Sequence, residues 1–86
     1  MNVRAFAYLY PGSSGGKLWG GLYDCSGNYV IGTNVLSMSS TGSSGQVYET
    51  SYSSHGSLPC GFGAVEAWSY AVQQATTPVT YGTSLG

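Results

Sequence analysis

The chain has 86 residues, of which only 6% are charged and which sum to a net charge of −1. That length gives one domain, residues 1–86, with a thin core. So little positive charge leaves almost nothing to neutralise a nucleic-acid backbone, and no carboxylate cluster exists to cage calcium. Gly, Ser and Pro supply 31 of the 86 residues, a share that by itself suits a low-complexity chain. Eight Tyr, two Trp and two Phe argue the other way, because disordered chains are poor in aromatic residues and rich in net charge. A chain of short strands joined by Gly/Ser turns satisfies both observations.

Six strands are expected in chain order. Residues 3–10 alternate Val3, Ala5, Ala7 and Leu9 against Phe6, Tyr8 and Tyr10, and Pro11 to Gly16 end the run. Residues 17–25 alternate Lys17, Trp19, Gly21 and Tyr23 against Leu18, Gly20 and Leu22. Ser26-Gly27 then makes a tight hairpin connection to a third strand over 28–39. Within that strand the apolar phase changes: Tyr29, Ile31 and Val35 share one parity, Val30, Leu36 and Met38 the other. A β-bulge near Gly32 accounts for the change. Residues 39–45 read as a flexible link without an apolar anchor. The fourth strand spans 46–53, with Tyr48, Thr50 and Tyr52 on one face and Glu49 on the other. Residues 54–61 form a loop. The fifth strand covers 62–73, its spacing-two Trp68, Tyr70 and Val72 and its flanking glycines outweighing a helical alternative over 64–75. The sixth covers 79–83 and is entered through Pro78, as suits an edge strand.

These elements predict an all-β fold, a small antiparallel β-sandwich or partly open barrel of about six strands with one disulfide. No connection is long enough for a βαβ crossover, and no internal repeat of fixed period is visible. The immunoglobulin arrangement, a Trp between two cysteines and a Tyr two before the second, does not fit: Trp19 precedes Cys25, and Leu58 holds the Tyr position. Cys25 and Cys60 are 35 positions apart, match no zinc spacing and find only one His, so the expected state is a structural bridge. Closing a loop of about 36 residues is worth roughly 4 kcal/mol in the chain-entropy picture.

Catalytic chemistry finds little support. Ser is abundant, but no G-x-S-x-G turn presents one as a nucleophile. Glu49 and Glu66 would need a cleft that so short a chain has little volume to build, and Arg4 and Lys17 stand as candidate partners for Glu66. The expectation is a non-enzymatic domain without metal or cofactor. No apolar run long enough to span a membrane occurs, and residues 1–7 are too short and too alternating for a signal peptide. Low charge and a disulfide point to a secreted, extracellular or surface-exposed setting.

The candidate contact residues are Trp19, Tyr23, Tyr48, Tyr52, His55 and Leu58. Trp68 and Phe62 are expected in the core. Three functions are carried forward. The leading one is a structural or adhesive module that associates with protein partners or its own copies, through strand edges left unguarded by charge and through tyrosine-rich faces. The second is a carbohydrate-binding module using Trp19 and the tyrosines. The third is a secreted inhibitor or antimicrobial protein presenting residues 54–60, with Leu58 as its anchor.

Overall fold

The computed structural model describes residues 1–71 and 79–85. These residues contain eight strands: β1 (Asn2–Leu9), β2 (Gly16–Asp24), β3 (Tyr29–Gly32), β4 (Leu36–Met38), β5 (Gln46–Glu49), β6 (Ser53–Ser54), β7 (Phe62–Ala71) and β8 (Val79–Leu85). The expected all-β sandwich is present as two antiparallel sheets that do not close into a barrel. Each sheet has one long strand at its centre. β1 is flanked by β8 on one side and by β5 and β6 on the other; β2 is flanked by β7 and by β3 and β4. β1 is therefore the middle of its sheet, not an edge. The last two residues expected in the fifth strand, Val72 and Gln73, and the Pro78 entry to the sixth lie outside the described residues.

The rise from six strands to eight has one cause, acting twice. Leu18 pairs with Leu36 and Gly21 with Gly32, so three steps along β2 oppose four along its neighbour. This is the one-residue excess of a bulge, at the position where the sequence phase changes. The extra length is tied down by Thr33, whose amide donates to the Gly20 carbonyl while its Oγ1 accepts from the Gly20 amide, both at 2.9 Å. The other sheet repeats the device. Val3 pairs with Ser53 and Phe6 with Glu49. The Thr50 amide donates to the Ala5 carbonyl at 2.9 Å, and Thr50 Oγ1 accepts from the Ala5 amide at 3.0 Å.

The correspondence extends across both sheets. Ala5 pairs with Thr83 as Gly20 pairs with Ala67, and Ala7 with Tyr48 and Tyr81 as Leu22 with Ile31 and Val65. Residues of β1 thus match residues 15 further on in β2, those of β5–β6 match residues 17 earlier, and those of β8 match residues 16 earlier, as far as Leu22; beyond it β3 and then β7 each gain one residue that the first sheet lacks. Two pairs of matched residues meet each other directly: Asn34 Oδ1 accepts from the Ser51 amide at 3.1 Å. A Cβ placed on Gly20 would likewise lie 3.1 Å from the Cβ of Ala5. Self-contact between equivalent positions is the mark of a two-fold relation. The sandwich is two nested copies of one four-strand unit packed about an internal pseudo-two-fold axis.

Small residues at that axis bring β1 and β2 close together and keep the core thin. Val3, Ala5, Ala7, Leu9, Leu18, Leu22 and Met38 are buried in it. Tyr48, Leu36 and Ala67 pack against them. Indole rings have no room between strands this close. Trp68, expected in the core, stands half-buried on the outer face of the second sheet, and Phe62 is 48% exposed.

The loops carry more order than their composition suggests. The hairpin after β2 has four residues, 25–28, between its strands instead of two, and the Asp24 amide donates to the Asn28 carbonyl at 3.0 Å. The Gly27 amide donates to the Asp24 carbonyl at 3.1 Å, and Gly27 takes φ +81°, a type I turn closed by a left-handed glycine. Asp24 Oδ1 also accepts from the amides of Ser26 and Asn28. The 39–45 segment, expected to be a flexible link, is held against the first Gly/Ser turn. Thr41 exchanges hydrogen bonds with Ser13, and the Gly12 amide donates to the Gly42 carbonyl.

Candidate functional site

The outer face of the second sheet brings together both tryptophans and two of the eight tyrosines. β2 alternates, so Leu18, Gly20 and Leu22 turn to the core and Lys17, Trp19, Gly21 and Tyr23 face outward. The β2–β7 register sets Trp68 directly opposite Trp19, and their rings stack at 6.1 Å with an interplanar angle of 24°. The β2–β3 register sets Tyr29 opposite Tyr23, where the rings meet edge-to-face at 5.8 Å. Tyr23 also meets Trp68 edge-to-face at 6.5 Å. Such offset and edge-on pairs fit the quadrupoles of the rings.

Gly21 forms the floor of this cluster. A Cβ there would lie 3.0 Å from Tyr29 Cε1 and 3.1 Å from Trp68 Cη2, so the two rings rest on the bare backbone. Tyr29 reaches on across Gly32. Glycines weaken strands unless something covers them, and the two rings do so; Tyr29 is 59% exposed and Trp68 half-buried. The charged groups beside the rings are Lys17, whose Nζ donates to Ser37 Oγ at 2.7 Å, and Glu66, exposed on β7 opposite Gly21.

Of the residues singled out from the sequence, Trp19 and Tyr23 fall in this cluster. Tyr48 does not: it faces inward from β5 beside Ala7, packs on the core, and its hydroxyl accepts from the Ser39 amide at 3.0 Å. Tyr52 lies beyond the Thr50 bulge, on the outer side of the first sheet under the Arg4 guanidinium, 4.8 Å from its ring centroid. Arg4 also pairs with Glu49 rather than with Glu66. His55 exchanges backbone hydrogen bonds with Met1, and its Nδ1 lies 3.0 Å from the Gly56 carbonyl oxygen. Leu58 is half-buried, and its carbonyl accepts from the Gly61 amide. Tyr29 and Trp68 are the additions to the cluster. The signal for them was the pairing of glycine with aromatics on adjacent strands.

The expected disulfide is formed. Cys25 and Cys60 are bonded with Cα atoms 5.7 Å apart. The bridge ties the β2–β3 hairpin to the start of β7, where the Cys25 amide also donates to the Gly61 carbonyl at 2.9 Å. It therefore braces the end of the sheet that carries Tyr23 and Tyr29. Among the described residues, no three His, Cys, Asp or Glu side chains gather as a metal site. Comparison with protein-family models, curated proteins and solved structures finds no match for the chain.

Proposed function

We propose that this domain is an exported, non-catalytic binding module that holds an uncharged polysaccharide on the aromatic face of its second sheet. The observation that carries the reading is the cluster of Trp19, Tyr23, Tyr29 and Trp68 on the outer face, with Tyr29 and Trp68 resting on Gly21, Tyr29 exposed and the other three half-buried. Aromatic rings supply large, rigid contact area at small entropic cost, and contiguous exposed apolar surface marks a binding face. The surroundings offer one cation and one anion, Lys17 and Glu66, so a neutral ligand rich in hydroxyls suits the face better than a charged one. The disulfide supports an oxidising compartment.

The test is retention of the protein on insoluble chitin, cellulose and β-1,3-glucan, with Tyr29→Ala and Trp19→Ala as variants. Tyr29 is the safer probe, being largely exposed. The expected result is retention by at least one polymer and a loss of affinity of about tenfold or more in both variants, as for a central interface aromatic. Retention on none, or unchanged binding by both folded variants, overturns the reading.

A second reading is association with another protein or a second copy. Its support is the exposure of Tyr29 and Phe62 at the same end of the second sheet, beside the disulfide hairpin. Pairing through strand edges draws less support, because both short-strand edges carry bulges, a usual means of discouraging it. Light scattering at high concentration near pH 5.4, the isoelectric point, separates the two: a monomer counts against self-association.

A further inference from the structure

We infer that Glu66 is the hydrogen-bonding anchor of the aromatic face: its carboxylate accepts from ring hydroxyls of the bound sugar and turns away polysaccharides that carry acid groups. This role rests on the carbohydrate reading above and narrows it to polymers with free neighbouring hydroxyls.

The strand register places Glu66 inside the cluster. Trp68 and Glu66 are two apart on β7 and share its outer face, and Glu66 stands directly opposite Gly21. Gly21 in turn stands opposite Gly32 on β3. The row across the sheet at this level is therefore Gly32, Gly21 and Glu66, two bare positions ended by a carboxylate. Tyr29 lies over both glycines: a Cβ on Gly32 would be 3.2 Å from its Cζ and one on Gly21 3.0 Å from its Cε1. Trp68 reaches Gly21 from the next row. Among the described residues β7 pairs with β2 alone, so Glu66 stands at the rim of this aromatic surface.

The other two carboxylates are already engaged. Asp24 accepts from the Ser26 and Asn28 amides at 2.9 and 3.0 Å, and Glu49 is paired with Arg4. Glu66 is exposed and has no hydrogen bond or ion pair with any described residue. The cation of the same face, Lys17, stands two rows away and donates to Ser37.

A pyranose that lays its C–H face on an aromatic ring directs its equatorial hydroxyls sideways, past the edge of that ring. A carboxylate only accepts hydrogen bonds, and its two oxygens can take two neighbouring hydroxyls at once. Such charge-assisted bonds are stronger than neutral ones, and a few placed polar groups orient a ligand over an apolar floor. The same charge repels a ligand carboxylate or sulfate brought to that place, which gives selectivity by exclusion.

The experiment uses one polymer in two forms: the insoluble polysaccharide that retains the wild-type protein, and the same material lightly carboxymethylated. Affinity is read at low salt from depletion of wild type, Glu66→Ala, Glu66→Gln and Tyr29→Ala, each confirmed as folded by circular dichroism. Glu66 is exposed, so its substitution leaves the core untouched. Wild type is expected to prefer the neutral form, and salt to reduce that preference. Glu66→Ala is expected to bind the neutral form about tenfold more weakly than wild type. Glu66→Gln keeps an acceptor but no charge, so it is expected to lose less affinity and most of the preference. Wild type without a preference, Glu66→Ala with unchanged affinity for the neutral form, or Glu66→Gln with an unchanged preference overturns the role of Glu66. If Tyr29→Ala still loses binding in that case, the carbohydrate reading stands. Wild type retained by no polymer overturns both.

Discussion

The central strand of the first sheet turns Phe6 to solvent where the central strand of the second turns Gly21. The same ladder thus supports opposite choices of large and small side chain. Inside, the exchange runs between Ala7 and Leu22 and between Val3 and Leu18, and at the axis between Ala5 and Gly20. The paired sheets teach that this fold fixes hydrogen bonds more strictly than residue identity. Each half needs one hydroxyl to catch a backbone amide at its bulge and one small residue at the axis. Elsewhere, volume lost in one half can be made up in the other.

The largest break in the comparison is the disulfide, which braces only the second sheet. Replacing both Cys25 and Cys60 by Ser is expected to cost about 4 kcal/mol in urea unfolding, with the hairpin and the start of β7 loosening first. Next is the axis. Gly20→Ala puts a methyl 3.1 Å from Ala5 Cβ and 3.2 Å from the Glu66 carbonyl oxygen, and is expected to cost about 1–3 kcal/mol as overpacking. Adding Ala5→Gly is expected to recover part of that loss, and a double variant no more stable than the single one would show that the two residues do not share the axis. At the bulges, Thr50→Val leaves a buried amide without its acceptor and is expected to cost about 1–3 kcal/mol. Thr33→Val is expected to cost less, because Thr50 is 4% exposed while Thr33 is half-buried. The smallest effect is Glu49→Gln. Its ion pair with Arg4 is well exposed, and the change is expected to stay within about 1 kcal/mol and to vanish in high salt.

Much of this was legible in the chain. Alternation located all the long strands. The two cysteines had no better use than each other, and the phase change after Ile31 marked the first bulge. The second bulge was hidden because Tyr48, Thr50 and Tyr52 alternate without a break. The Thr50 hydroxyl takes the place of a ladder carbonyl, and nothing in the apolar pattern records the extra residue. Two tyrosines of equal parity consequently end on opposite sides, Tyr48 in the core and Tyr52 under Arg4. The duplication was hidden for another reason: the halves are nested rather than tandem. Equivalent strands stand at offsets of +15, −17 and −16, so no single period exists to find. Trp68 was misplaced because hydrophobicity alone does not report how thin a core of Ala and Gly will be. The candidate face could be read only in part, since Trp19 and Tyr23 share a strand whereas Tyr29 and Trp68 join them through pairing between strands.

Amide hydrogen exchange followed by NMR tests the paired construction most directly. The Ala5 and Gly20 amides, each donating to a threonine hydroxyl, should be similarly protected in the wild-type protein. Thr50→Val should expose Ala5 alone, and Thr33→Val Gly20 alone. If one of these amides exchanges freely in the wild type, or if either substitution releases both, the two sheets are not built on the same device.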